Sequence, residues 1–280
     1  MKILVTGGKG QLGHDVVNRL EHIGIECKGV DIDDFDLTCE EQVLSYISDY
    51  MPDAIIHCAA YTYVDRAEEE KEACKSVNVD GTANIKKAAE NLGAKLMYIS
   101  TDYVFDGEGT RFFQPDDQAN PINWYGKTKL EGEKILLDYP KHFIVRISWV
   151  FGANGNNFIK TMLRLAQTKD EINVVADQIG SPTFTYDLAV LLCDMIQTEK
   201  YGTYHATNEG ECSWAEFAEY IFACAGKAAA VNRIGTEDYP TRAARPGNSR
   251  LDKSTLEAAG FERLPDWKDA VRRYVEELMK

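Results

Sequence analysis

The 280-residue sequence predicts an α/β protein: a doubly wound, Rossmann-type parallel sheet with helices on both faces, followed by a smaller C-terminal lobe. Three observations predict it. Short apolar runs with few alternating polar positions recur through the first half, as strands buried on both faces require. Each is followed by a stretch with apolar residues at helical spacing, and right-handed crossovers then wind the sheet on both sides. After about residue 150 this rhythm loosens into shorter elements between turn-rich segments.

In chain order, the strand KILVT leads through a glycine loop to the helical QLGHDVVNRLEHIG, then IECKGV, the helical EEQVLSYISDY, and AIIHC. The helical ACKSVNVDGTANIKKAAENLG, the strand AKLMYIS, the helical NWYGKTKLEGEKILLDY and the strand FIVRISWV complete the first half. Beyond it lie NNFIKTMLRLAQ, INVV, YDLAVLLCDMIQ and SWAEFAEYIFACAG, separated by ATNEGE and YPTRAARPGNSR. The expected division is a dinucleotide-binding domain over 1–150, with a return to its sheet at about 170–200, and a substrate-binding lobe over most of 151–280. No repeat, low-complexity tract or flexible linker interrupts it.

Composition narrows the function. With 44% apolar residues the chain can bury a large core, and its net charge of −14 opposes a general nucleic-acid or anionic-membrane binder. A small anionic ligand held by local donors stays compatible. The seven cysteines contain no C-x-x-C pair, so reduced thiols in the cytoplasm are expected, with no disulfide or metal framework. No apolar run approaches the about 18 residues of a membrane span, and MKILVTGG is too short before its glycines to serve as a secretory leader.

The segment TGGKGQLG spaces Gly7, Gly10 and Gly13 three apart between the first strand and the first helix. Glycine permits positive φ and lets a pyrophosphate touch the main chain, while the helix N-terminus supplies N–H donors and the positive end of its dipole. The strand–loop–helix context is what gives such a pattern meaning. The second strand ends at Asp31, whose carboxylate suits an adenosine ribose hydroxyl. Asp31 repels a 2′-phosphate, Lys9 can neutralise one, and both NADP(H) and NAD(H) are expected as cofactors, with NADP(H) preferred.

Tyr125 and Lys129 form the only Tyr-x-x-x-Lys in the chain. Alone, such a pair reads as a surface tyrosine beside a solvated lysine. Here it opens a helix that follows a strand tipped by Ser100, Thr101 and Asp102, and polar residues at the carboxyl ends of such strands lie where ligands bind. At i and i+4 the two side chains share a helix face. A neighbouring cation lowers a phenol's pKa from about 10 and makes Tyr125 a usable proton donor to a carbonyl becoming an alkoxide. Thr101 is expected to hydrogen-bond the same oxygen.

Together TGGKGQLG, AAYTYVDRAE, NVDGT, STDYVFDG, NWYGKTKLEGE, RISWVFG, GNNFIKTML, DQIGSPT and RPGNSRLD resemble, in order and over nearly the whole chain, the extended short-chain dehydrogenase/reductases that act on nucleotide sugars, most closely those reducing a dTDP-4-keto-6-deoxy sugar. The resemblance implies hydride transfer from a nicotinamide to C4 while Tyr125 protonates the oxygen, Lys129 holds the ribose and tunes Tyr125, and Thr101 orients the keto group. It implies a dinucleotide lined by Gly10, Gln11, Leu12, Asp31, Asp36, Leu37, Ala60, Tyr61 and Thr62, and a sugar lined by Asp102 and Trp149. Some members carry interface glutamates that bind magnesium; the nearest residues here are Asp15 and Asp187, so no metal is expected, although a homodimer fits. The same family includes a regulatory subunit of methionine adenosyltransferase, and epimerases of other nucleotide sugars, which are the competing readings. An intact Thr101, Tyr125, Lys129 set favours an enzyme.

Four features carry plainer alternatives. Trp149 either stacks on the ligand or fills the gap between lobes. Arg245, in ARPGNSR, either binds the ligand diphosphate through charge-assisted bonds or sits in solvent. His57 within AIIHC reads as a core histidine, and AEEEKE at 67–72 as a solvated helix face.

Overall fold

The computed structural model describes residues 1–280. Its nucleotide-side elements are β1 (Lys2–Thr6), α1 (Gln11–His22), β2 (Glu26–Val30), α2 (Glu40–Tyr50), β3 (Ala54–His57), α3 (Val64–Ala67), α4 (Lys71–Lys75), α5 (Gly81–Leu92), β4 (Lys95–Thr101), α6 (Trp124–Leu136) and β5 (His142–Ile147). There follow β6 (Val150–Phe151), α7 (Phe158–Leu165), β7 (Glu171–Val175), β8 (Ile179–Gly180), β9 (Thr183–Phe184), α8 (Thr185–Ile196) and β10 (Gly202–His205). The chain closes with β11 (Cys212–Ser213), α9 (Trp214–Ala225), β12 (Ala230–Ile234), β13 (Asn248–Ser249), α10 (Ser254–Ala258) and α11 (Trp267–Leu278).

Six strands form one parallel sheet in the order β10-β5-β4-β3-β1-β2. β1 pairs β2 on one side and β3 on the other, so the chain moves outward in opposite directions from this point and leaves a crevice at the carboxyl ends. The register brings the tips together: Thr6 lies beside Val30 and His57, and Thr101 beside Ile147.

Alternation sorts the strand side chains between two cores. Ile3, Val5, Met97 and Phe143 pack on one face beneath Val16, Leu20, Leu188 and Leu192 of α1 and α8. Leu4, Ile55, Leu96 and Ile144 pack on the other beneath Val43, Ile47, Ile85 and Leu136 of α2, α5 and α6. A third core of Phe151, Ile159, Phe217, Ile221, Trp267 and Tyr274 joins α7, α9 and α11. Fully burying such a side chain is worth roughly 1.5–3 kcal/mol, so these three cores hold the site's walls in place.

Three local readings of the sequence change. The helix expected over ACKSVNVDGTANIKKAAENLG is α4 and α5 joined by a π turn at Ser76–Asp80, where Asn78 is buried. FIVRISWV is not one strand, because Trp149 adopts φ 49° and redirects the chain from β5 to β6, which pairs with β9. The acidic run at 67–72 is not merely solvated: Glu68 accepts from the Trp124 backbone N–H at 2.7 Å, Glu69 pairs with Arg242 and Glu70 with Arg66. No helix is long and apolar enough to cross a membrane.

Candidate active site

A cavity of about 700 Å³ opens over the carboxyl ends of β1 to β5. The glycine loop forms one end. Gly7 has φ +69°, and a Cβ there would lie 2.8 Å from the Ala59 nitrogen; a Cβ at Gly13 would meet the Gly7 carbonyl oxygen at 2.1 Å. Neither position therefore tolerates a side chain. α1 starts at this loop with no side-chain cap and no acidic residue in its first turn, so its first N–H groups are left for a ligand anion. This is a cradle that fits a dinucleotide pyrophosphate.

Asp31 stands at the tip of β2. Its Oδ2 accepts from the Lys9 backbone N–H at 3.1 Å and its Oδ1 from Ile32 N–H at 2.9 Å, while the Lys9 ammonium pairs with Asp33. Lys9 is thus already engaged, though both Lys9 and Asp31 line the cavity. Asp36, Leu37, Ala60 and Thr62 line it further along.

At the opposite end, α6 brings Tyr125 and Lys129 to the strand tips. Asn123 caps this helix: its Oδ1 accepts from Gly126 N–H at 2.8 Å and its Nδ2 donates to the Ala244 carbonyl at 2.8 Å. The helix can approach because Gly126 is bare; a Cβ there would lie 2.1 Å from the Tyr103 carbonyl oxygen. Tyr125 meets Tyr103 edge to face, with ring centroids 5.7 Å apart at 79°. Lys129 is buried, its ammonium 4.0 Å from the centroid of the Tyr98 ring.

The electrostatics differ from the sequence expectation. Burial, and after it the neighbouring Asp102 carboxylate, hold the Tyr125 phenol well above its usual pKa, with the nearby Thr101 hydroxyl pulling the other way. Burial also lowers the Lys129 ammonium to about 7, against the opposing pull of Glu133. Among the protein's own groups, then, Lys129 does not acidify Tyr125; desolvation of both outweighs it.

Thr101 and Asp102 sit at the end of β4. The Thr101 hydroxyl donates to Asp102 Oδ1 at 3.0 Å and accepts from Tyr103 N–H at 3.3 Å, and Ser249 of β13 donates to Asp102 Oδ2 at 2.5 Å. Beneath them lies a buried ion pair: Glu133 takes bonds from Arg146 at 2.8 and 2.7 Å and from Ser100 at 2.5 Å. Trp149 lines the cavity and stacks on Trp214, with centroids 3.7 Å apart at 13°. It faces the site and fills the inter-lobe gap at once.

The sequence-predicted residues converge here except two. Tyr61 does not line the cavity: its hydroxyl donates to Glu70 at 2.5 Å, and its backbone N–H and carbonyl are both taken by Asn78. Arg245 does not line it either, and is not in solvent. Its guanidinium is held by Asp65 at 2.7 Å and by the Tyr103 hydroxyl at 3.1 Å, because the 239–245 loop docks on α3. Asp15 and Asp187 lie elsewhere, bonded to Thr185 and to Asn208 and Arg273. His57 is a core histidine between Thr6 at 2.7 Å and Thr82 at 3.3 Å. The sequence reading missed Tyr103, Ser148 and Tyr63 as lining residues and Ser249 as a partner of Asp102; the first follows STD directly, but only the fold brings Ser249 across.

Comparison with known proteins matches this architecture. The chain is 43% identical to a dTDP-4-dehydrorhamnose reductase of Aggregatibacter actinomycetemcomitans, over 98% of this chain and 99% of that one. It superposes with a TM-score of 0.98 on the crystal structure of a dTDP-4-dehydrorhamnose reductase from Clostridium acetobutylicum, at 41% identity and full coverage of both chains. The Bacillus anthracis dTDP-4-dehydrorhamnose reductase, solved in complex with NADP, gives a TM-score of 0.96 at 42% identity, covering 99% of this chain and 100% of that one. The family model described as the RmlD substrate binding domain matches residues 1–280, and the chain belongs to that family.

Proposed function

We propose that this protein is a dTDP-4-dehydrorhamnose reductase, reducing the C4 keto group of dTDP-4-dehydro-6-deoxy-L-mannose to dTDP-L-rhamnose. The observation that carries this reading is the convergence of Thr101, Tyr125 and Lys129 at one end of the cavity whose other end is the glycine cradle. NADPH is the preferred cofactor and NADH is accepted; when bound, the cofactor supplies the hydride to C4.

The chain's own residues supply the rest. Gly7, Gly10, Gln11, Leu12 and Gly13 hold the pyrophosphate at the N-terminus of α1, where main-chain donors and the helix dipole offset its charge. Asp31, Asp36, Leu37, Ala60 and Thr62 line the nucleotide. Lys129 holds the nicotinamide ribose, and Tyr125, reinforced by Thr101, delivers a proton to the keto oxygen. A phenol held neutral by burial keeps that proton until an oxyanion develops. Asp102 and Trp149 flank the sugar. Arg245 is assigned an indirect part, tying the substrate-side loop to α3 through Asp65.

The reading includes a cytoplasmic protein with reduced cysteines, no metal and no nucleic-acid or membrane partner, assembled as a homodimer. It divides the chain into a nucleotide part over 1–150 with a return at 170–200 and a substrate part over most of 151–280. The deciding experiment follows cofactor absorbance with a panel of nucleotide 4-keto sugars. Oxidation of NADPH with the dTDP-4-keto-6-deoxy sugar, and formation of dTDP-L-rhamnose, is expected; turnover of another nucleotide sugar alone, or tightly retained NAD without net consumption, sinks the assignment.

A further inference from the structure

Asp102 is a buried carboxyl without a counter-ion. It is 3% exposed, and only hydroxyl and backbone groups touch it: Thr101 from β4, Ser249 from β13 and the turn at Tyr103. Of the titratable groups around it, Tyr103 and Tyr125 are neutral phenols, the Lys129 ammonium rests on Tyr98, and the Arg245 guanidinium is taken by Asp65 and Tyr103. Burial raises the Asp102 carboxyl to about 6, with the bonds from Ser249 and Thr101 opposing.

The Thr101 hydroxyl has one proton and two lone pairs. One lone pair takes the Tyr103 N–H, and the proton is given to Asp102 Oδ1. An ionised Asp102 can only accept, so Thr101 then has no proton left for a substrate oxygen. The donor direction at Thr101 then runs into Asp102, away from the cavity. A protonated Asp102 reverses it. Its O–H fills the second lone pair of Thr101, and the proton of Thr101 turns outward, beside the Tyr125 phenol.

We propose that Asp102 is a positioning residue that must be protonated for Thr101 to point its proton at the keto oxygen. The proposal rests on the reductase reading above. No proton leaves Asp102 in the step; it fixes the direction of the Thr101 donor, while Tyr125 gives up its proton and is reloaded independently.

Asp102→Asn distinguishes this role from others, because the isosteric amide donates permanently to Thr101 and still accepts from Ser249. The readout is the ratio of kcat for Asp102→Asn to kcat for wild type across pH, in which titration of Lys129 cancels. The ratio is expected to rise roughly tenfold or more between about pH 5.5 and about pH 8.5, as wild type loses its proton. Asp102→Ala, which cannot donate, is expected to be roughly tenfold or more slower than Asp102→Asn at the lower pH. A ratio that is flat with pH, or equal rates for Asn and Ala, overturns the proposal. Absence of dTDP-sugar reduction by wild type overturns the underlying reading and the proposal with it, whereas an active wild type with a flat ratio overturns the proposal alone.

Discussion

The Lys129 ammonium lies 4.0 Å from the centroid of the Tyr98 ring and has no carboxylate or carbonyl bonded to it, although Glu133 stands one helical turn away. Glu133 cannot serve it fully, since both of its oxygens are engaged by Arg146 and Ser100. Lys129 is therefore a desolvated cation whose pKa falls to about 7, and the protein alone holds it only partly charged near neutral pH.

Cofactor binding should restore that charge. Ribose hydroxyl oxygens brought to Lys129 would favour its ammonium form, so NADPH is expected to bind with uptake of a fraction of a proton between about pH 7.5 and 8.5. Calorimetry in buffers of different ionisation enthalpy measures this directly. Proton uptake should vanish in Lys129→Met; equal uptake in that variant would mean that another group is responsible.

Tyr125→Phe removes the proposed proton donor and little else, because the phenol oxygen makes no structural bond that holds α6. The kcat is expected to fall by roughly 10²-fold or more, in line with loss of a general acid, while the dissociation constant for NADPH stays nearly constant. A variant retaining half the wild-type rate removes Tyr125 from the mechanism.

Arg245 and Asp65 test the docking of the 239–245 loop. Asp65 receives both the Arg245 guanidinium and, at 3.1 Å, the Ala243 backbone N–H, and the same segment gives its Ala244 carbonyl to Asn123, the cap of α6. If Arg245 acts through this contact, Arg245→Ala and Asp65→Ala should raise the KM for the dTDP sugar by similar factors, and the double variant should show a coupling of about 0.5–3 kcal/mol. A rise confined to Arg245→Ala would mean that the arginine meets the ligand diphosphate itself.

The sheet was legible because its strands are buried on both faces and its helices carry apolar stripes, two periodicities that survive in the linear sequence. Gly7, Gly10 and Gly13 were legible for a similar reason: the crowding at Ala59 and at the Gly7 carbonyl admits no Cβ, and the spacing records it. Asp102 and Ser249 show where that reach stops. They are 147 residues apart, and nothing in either segment declares that a hydroxyl from β13 will reach the tip of β4. Arg245 shows the same limit with a charge. An arginine in an acidic chain suggested an anion, but burial beside Asp65 and Tyr103 supplied protein partners that only the folded loop brings near. Desolvation likewise has no local signature, which is why Lys129 was expected to acidify Tyr125 and does not.

Two buried histidines should set the acid limit of the fold. Burial lowers His57 to about 3, with Lys129 adding to the effect, and lowers His205 to about 3, with Arg146 adding to it. Both are neutral in the folded protein and charge readily when it unfolds, so between about pH 6.5 and 3 the unfolded state binds up to two more protons and stability falls as pH falls. Asp102 works in the opposite sense, since its raised carboxyl lets the folded state hold a proton that the unfolded state releases between the ordinary 3.8 and about 6. The net slope there is nearer one proton, about 1.4 kcal/mol per pH unit, steepening below the ordinary carboxylate range. Urea unfolding at a series of pH values measures it. His57→Gln, which keeps a polar group between Thr6 and Thr82, should reduce the slope by about one proton; an unchanged slope in that variant would show that His57 is not the group that charges on unfolding.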